Sequence, residues 1–266
     1  MMPALWTAAT GMAGQQENVN VIANNLANVN TSGFKRSMAQ FEDLTYTQIL
    51  PPGVQTGGGD FLPVGVQIGH GTRLSGTVLD LSIGAVRQTS SSLDLFLADA
   101  GEARTFFQVQ LPNGGIAYTR DGSFKKDGEG NLVTNGGYKL EPPITFPAGT
   151  SKVTVGTDGS VLAFFTDNQP PQNIGQIEVA SFRNPAGLLA LGGNLFAGTT
   201  ASGQADEGTP GQQGFGEIKS NMLEGSNVKA VEELILLITA QRAFEMNSRS
   251  ITTADEMLQT TAGLRR

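Results

Sequence analysis

VKAVEELILLITAQRAFEMNSRSITTADEMLQTTAGL, residues 228–264, is the stretch on which the fold turns. Leu237, Ala240, Phe244, Asn247, Ile251, Ala254 and Leu258 recur in alternating steps of three and four. That spacing lays a heptad seam along one face of a helix. Val231, Leu234, Ile235 and Ile238 widen the apolar face at its start. Ser226 or Asn227 is placed to cap it, and Glu232 and Glu233 suit the positive end of its dipole. At 1.5 Å per residue the helix runs roughly 55 Å. A periodic pattern of that length points to a coiled coil.

The other end of the chain carries a second seam. A helix is expected from Pro3 to Asn30, with proline in the first turn, where its missing N–H costs nothing. Leu5, Met12, Val19 and Leu26 fall seven residues apart, and Ala8, Ile22 and Val29 lie three residues after members of that row. Gln15 interrupts the seam. Asn18, Asn20, Asn24, Asn25, Asn28 and Asn30 crowd the second half, and asparagine is a poor helix former because its amide competes for backbone partners. Ser32-Gly33 ends the helix, glycine accepting the left-handed conformation. Each seam alone fits an ordinary amphipathic helix on a globular core. Two seams flanking one middle region favour helices that meet each other or their counterparts on other copies. Such a pair exposes its seams when alone and is expected to be disordered until neighbours bury it.

Between the helices the pattern is β-like. Residues 51–60, PPGVQTGGGD, read as a loop. Pro112-Asn113-Gly114 separates FFQVQL from IAYTR, and Asp158-Gly159 separates KVTVGT from SVLAFF. Asn-Gly and Asp-Gly turns of this kind are the strongest local hairpin signal. Residues 201–216, ASGQADEGTPGQQGFG, read as an exposed loop. The fold class is therefore α+β, with N- and C-terminal helices forming a coiled-coil layer and a hairpin-rich all-β domain between them. The expected division is 1–35 with 226–266 as the helical assembly core, 36–71 as a linker segment, and 72–225 as the β-rich domain.

Composition narrows the function. The 266 residues carry a net charge of −7, with no Lys/Arg cluster of the kind that replaces counterions on phosphate. Nucleic acid is excluded as a partner, and an acidic surface is repelled by anionic lipid. No apolar run approaches the ~20 residues a membrane span needs, so direct membrane insertion is not expected. The N-terminus has no Lys or Arg before Lys35 and no apolar core of a secretory signal. There is no cysteine, which removes disulfides, thiolate zinc sites and cysteine nucleophiles. His70 stands alone and reads as a solvated loop residue.

Nothing assembles into an active site, and no cofactor or metal is expected. DGEGN, residues 127–131, resembles the start of a calcium loop, but position six is Leu132 and position twelve is Tyr138. The pairs Asp121/Asp127 and Asp158/Asp167 could serve as glycosidase carboxylates, yet aspartates so placed make turns. A secreted sugar-binding adhesin would need aromatic platforms, and Trp6, the one tryptophan, falls in the first helix.

Three stretches carry a resemblance to the flagellar rod and hook family. ANNLANVNTSGFKR, residues 23–36, resembles its N-terminal motif, with Asn24, Asn25, Asn28, Thr31, Gly33, Phe34 and Lys35 in the matching positions. Residues 106–140, around Tyr118-Thr119-Arg120-Asp121-Gly122, resemble the start of its β domain. Residues 224–258, with Ser-Asn-Val and then Gln241-Arg242-Ala243-Phe244-Glu245, resemble its C-terminal helix. Residues 41–73, whose LPVGVQIGHG portion spans Leu62 to Gly71, resemble the distal-rod branch; a hook or proximal-rod paralogue is the alternative. One departure is that Thr105 directly precedes Phe106-Phe107, where the family usually has glycine.

The resemblance implies a non-enzymatic subunit that polymerises helically with itself. It implies terminal helices lining a narrow channel and a β domain outside them. Leu5, Met12, Val19, Ile22, Leu26, Val29, Leu237, Phe244, Ile251 and Leu258 become the self-assembly residues. The implied partners are the proximal rod proteins, the hook protein, the P-ring and L-ring proteins and the type III export apparatus. The implied location is the basal-body rod crossing the periplasm, with residues 41–71 stiffening it.

Overall fold

The computed structural model describes residues 2–53, 63–99, 104–165, 170–212 and 214–263. The chain divides into two compact units. Most of the glycine-rich 51–60 stretch and Asp167 lie outside the described residues.

The first unit holds Met1–Ala27, Ser37–Val78 and Lys229–Arg266. Its α1 spans Met2–Ala27 and its α2 spans Ala230–Gly263. α1 stops three residues short of the expected Asn30. The Asn28 side chain accepts a bond from the Thr31 hydroxyl at 3.0 Å, and the Thr31 N–H bonds the Asn28 carbonyl, so a turn replaces the helix. The helices are antiparallel: Asn25 bonds Glu233, while Gly11 lies against Asn247. A Cβ at Gly11 would sit 2.8 Å from the Asn247 amide nitrogen, so glycine sets the close approach. Strand Ser37–Asp43 pairs with Thr72–Leu79, and Tyr46–Leu50 pairs antiparallel with Val66–Gly69.

The second unit holds Asn28–Arg36 and Leu79–Val228. Thr105–Gln110 is the central strand of its main sheet. It pairs with Ile116–Thr119 across the Pro112-Asn113-Gly114 turn, and on its other edge with Lys139–Leu140 and Val179–Ser181. The Asp158-Gly159 hairpin joins Thr150–Val155 to Ser160–Phe165. Within the turn-rich 201–216 stretch, Asp206–Gly208 forms a short strand paired with Val179–Ser181. The alternation of the central strand explains the Phe106-Phe107 pair. Phe107 enters the larger core and meets Phe124 edge-on at 5.1 Å. Phe106 points to the opposite face and meets Phe182 and Phe196.

Candidate assembly surface and buried charge cluster

In the first unit the seam residues lie unevenly. Ala8, Ile22, Ala240 and Ala254 are buried. Leu5, Met12, Val19, Leu26, Leu237 and Ile251 are half-buried, and Phe244 and Leu258 are exposed. Val29 lies beyond α1, half-buried in the second unit. The three alanines and Ile22 are covered and the other large side chains stand partly clear, because two helices can offer each other only one face. A shallow groove of about 360 Å³ opens beside the seam, lined by Gln16, Val19, Gln241, Phe244 and Glu245.

Asn25 fixes the end of α1. Its amide donates to the Ser37 carbonyl at 2.8 Å and accepts from the Ser37 N–H at 2.9 Å, and it also reaches Glu233 at 3.3 Å. Asn227 is a candidate cap for α2 by sequence. Its side chain instead accepts from the Arg36 N–H and donates to the Asp80 carbonyl. Ser226 Oγ accepts from the Val228 N–H.

In the second unit four charged side chains, each no more than 1% exposed, meet in the interior: Lys35, Asp99, Arg120 and Glu224. Lys35 Nζ lies 2.5 Å from Glu224 and donates to the Ser82 carbonyl. Arg120 bonds Glu224 at 3.0 Å through Nε, and its Nη1 reaches Asp99 Oδ2 at 2.9 Å and the Thr105 carbonyl at 2.6 Å. Thr105 answers with its hydroxyl, donated to Asp99 at 2.5 Å. Thr105 thus closes this cluster. Burial pulls the Lys35 ammonium below its ordinary value, against the pull of Glu224. Burial pushes Glu224 up, but Arg120 and Lys35 outweigh it and hold the carboxyl below its ordinary range. Two cations and two anions cancel, which is what allows the cluster to stay buried.

Gly33 explains the motif around it. It adopts φ +69°, and a Cβ there would lie 2.6 Å from the Asp121 nitrogen. Its N–H bonds the Glu224 carbonyl at 2.8 Å. Asn28, Thr31, Gly33, half-buried Phe34 and Lys35 therefore form a structural insert of the second unit; Asn24 is exposed on α1.

The candidate carboxylates are spent on turns. Asp121 accepts from the Ser123 N–H and hydroxyl, Asp127 from the Glu129 and Asn131 N–H groups, and Asp158 from Ser160. The Ser160 bonds hold the Asp158 carboxyl below its ordinary range. His70 lies 2.6 Å from the Thr47 hydroxyl and is half-buried. Among the described residues no cluster of three His, Asp or Glu side chains could hold a metal, and no helix is long and apolar enough to cross a membrane.

Comparison with known proteins fits this layout. Three family profiles match: "Flagella basal body rod protein" over residues 5–35, "Flagellar hook protein FlgE/F/G D1 domain" over 102–163, and "Flagellar basal body rod FlgEFG protein C-terminal" over 219–264. The chain is 46% identical over 259 residues to the flagellar basal-body rod protein FlgG of Buchnera aphidicola, covering 97% of this chain and 98% of that one. It is 44% identical to the Borreliella burgdorferi FlgG over the full length of both. The Caulobacter vibrioides FlgG is 46% identical over 99% of this chain and 100% of its own.

Proposed function

Because the chain belongs to the flagellar basal-body rod protein family and is a structural subunit of the distal rod, we propose that it acts as one length of a rigid, hollow drive shaft. Copies stack helically, the terminal helices form a coiled-coil layer around a channel, and the β unit stands outside it. The shaft carries torque to the hook, and its channel passes later subunits. The partners are further copies, the proximal rod and hook proteins, the P- and L-rings it traverses in the periplasm, and the type III apparatus that exports it.

The observation that carries this reading is the unfinished helix pair. Leu5, Met12, Val19, Leu237, Phe244, Ile251 and Leu258 build the pair yet keep surface in water, as expected of an element completed by neighbours. The exposed aliphatic ribbon formed by Ile49, Val66 and Ile68 gives residues 41–71 a surface for the same neighbours, which supports their role as a stiffening element.

Electron microscopy of hook–basal bodies from cells with and without the chain tests the assignment. Basal bodies that stop below the outer ring in its absence support the distal rod. A complete straight rod lacking only its hook moves the protein to the hook.

A further inference from the structure

The chain passes between its two units four times, after Ala27, Arg36, Val78 and Val228. Bonds inside the second unit gather these passages. The Asn227 side chain accepts from the Arg36 N–H at 2.8 Å. It donates to the Asp80 carbonyl at 2.8 Å and to the Ser82 hydroxyl at 3.1 Å. The Asp80 N–H also bonds the Arg36 carbonyl at 2.8 Å. One amide thus holds the last residue before one passage, the second residue after another, and the approach to its own. These are not local turns, because Asn227 stands 191 positions from Arg36 and 147 from Asp80.

A second tier backs the first. Lys35 donates to the Ser82 carbonyl and to Glu224, and Glu224 Oε1 accepts from the Gly84 N–H at 2.9 Å. The fourth passage opens the 28–36 segment, whose Gly33 N–H bonds the Glu224 carbonyl.

We propose that this clasp is the load-bearing root of the second unit, with Asn227 as its positioning residue; the proposal rests on the rod-subunit reading, which supplies the torque. A pull on the chain of the first unit enters the second unit at the four passages. Behind two of them the first paired strands are Val86–Gln88 and Met222–Glu224, three residues each, which pair only with one another. A two-stranded pairing this short is marginal alone, and its bonds would give way in sequence. Tying Arg36, Asp80 and Asn227 together ahead of that ribbon makes several bonds share the load and break together. The position needs a donor and an acceptor on one short side chain. Asparagine offers both, whereas aspartate would turn an acceptor toward the Asp80 carbonyl.

The absence of cysteine makes the test direct. Two cysteine pairs carry the handles of an optical trap on the full chain. Ala27→Cys with Lys229→Cys loads the first and last passages. Asn113→Cys with Thr157→Cys, at exposed hairpin turns, loads the sheets instead. The readout is the unfolding rate of the second unit at constant force. Each effect is taken as a ratio between the two directions, so a loss of stability that acts in both cancels. Losing both bonds of the amide, Asn227→Ala should raise the rate about tenfold more along the passages than across the sheets. Asn227→Asp keeps the bond to Arg36 and should show the same preference at a smaller ratio; it decides the matter should the alanine variant not fold. Equal acceleration in both directions overturns the proposal and leaves Asn227 an ordinary stabilising residue. Separately, the wild-type chain must restore motility to rod-deficient cells. Failure there breaks the rod reading itself, whatever the trap shows.

Discussion

The β unit and the helix unit bury their apolar residues very differently. Phe106, Phe107, Phe124, Leu132 and Leu140 are essentially inaccessible in the β unit, while Phe244, Met246 and Leu258 in the helix unit keep more than a third of their surface in water. Sheet faces and turns enclose the first set. Two antiparallel helices and two short ribbons cover the second set from only one side. One unit completes its own core, and the other leaves large apolar side chains part-exposed on one side.

The sharpest way to break that contrast is through the buried charges. Arg120→Met leaves Asp99 without its main partner and Glu224 with Lys35 and the Gly84 N–H alone, which should cost about 3–5 kcal/mol. Urea unfolding of the β unit reads this directly. A loss below about 1 kcal/mol would mean that water reaches the cluster, and that the β unit is less closed than described.

Phe107→Ala should cost a similar or slightly smaller amount, about 3–5 kcal/mol, by opening a cavity against Phe124. By contrast Leu258→Ala should leave urea unfolding of the monomer within about 0.5 kcal/mol, as an exposed position does, and show its effect only in rod yield.

Acid should act on the β unit before it acts on the isolated helices. The folded-state pKa of Glu224 lies below its ordinary 4.5. Its contribution is therefore fully present above that value and is lost as pH falls through the folded value. The urea midpoint should drop through this window, and Glu224→Gln should flatten the dependence while lowering stability throughout.

The smallest expected effect is at Gly11. Alanine gains up to about 1 kcal/mol of helix propensity, but its Cβ meets the Asn247 amide. Gly11→Ala alone should be close to neutral, and Gly11→Ala with Asn247→Ala should raise helicity. A gain from the single substitution would show that the helices do not pack so closely there.

Much of the layout was legible in the sequence because it depends on local signals. Heptad spacing marked both helices, and Asn-Gly and Asp-Gly turns marked the hairpins. The β strand at Asp206–Gly208 was hidden because its composition is that of a loop and only pairing with Val179–Ser181 orders it. The charge cluster was hidden for the same reason. Lys35, Asp99, Arg120 and Glu224 are scattered along the chain, and no spacing rule joins residues 189 positions apart. Asn227 looked like a cap because Asn is a good one, yet its amide was claimed by Arg36 and Asp80, far away in sequence. Val231, Leu234, Ile235 and Ile238 do not widen the seam: at 100° per residue they centre about half a turn from Ala240, Ile251 and Leu258, and all four are exposed.

Amide hydrogen exchange, compared between the free subunit and assembled rods, tests the contrast most directly. Exchange should be fast across residues 3–27 in the monomer, slow there in the rod, and slow at Thr105–Gln110 in both. Protection of residues 3–27 in the monomer equal to that of Thr105–Gln110 would contradict it, since the helix pair would then be complete without neighbours.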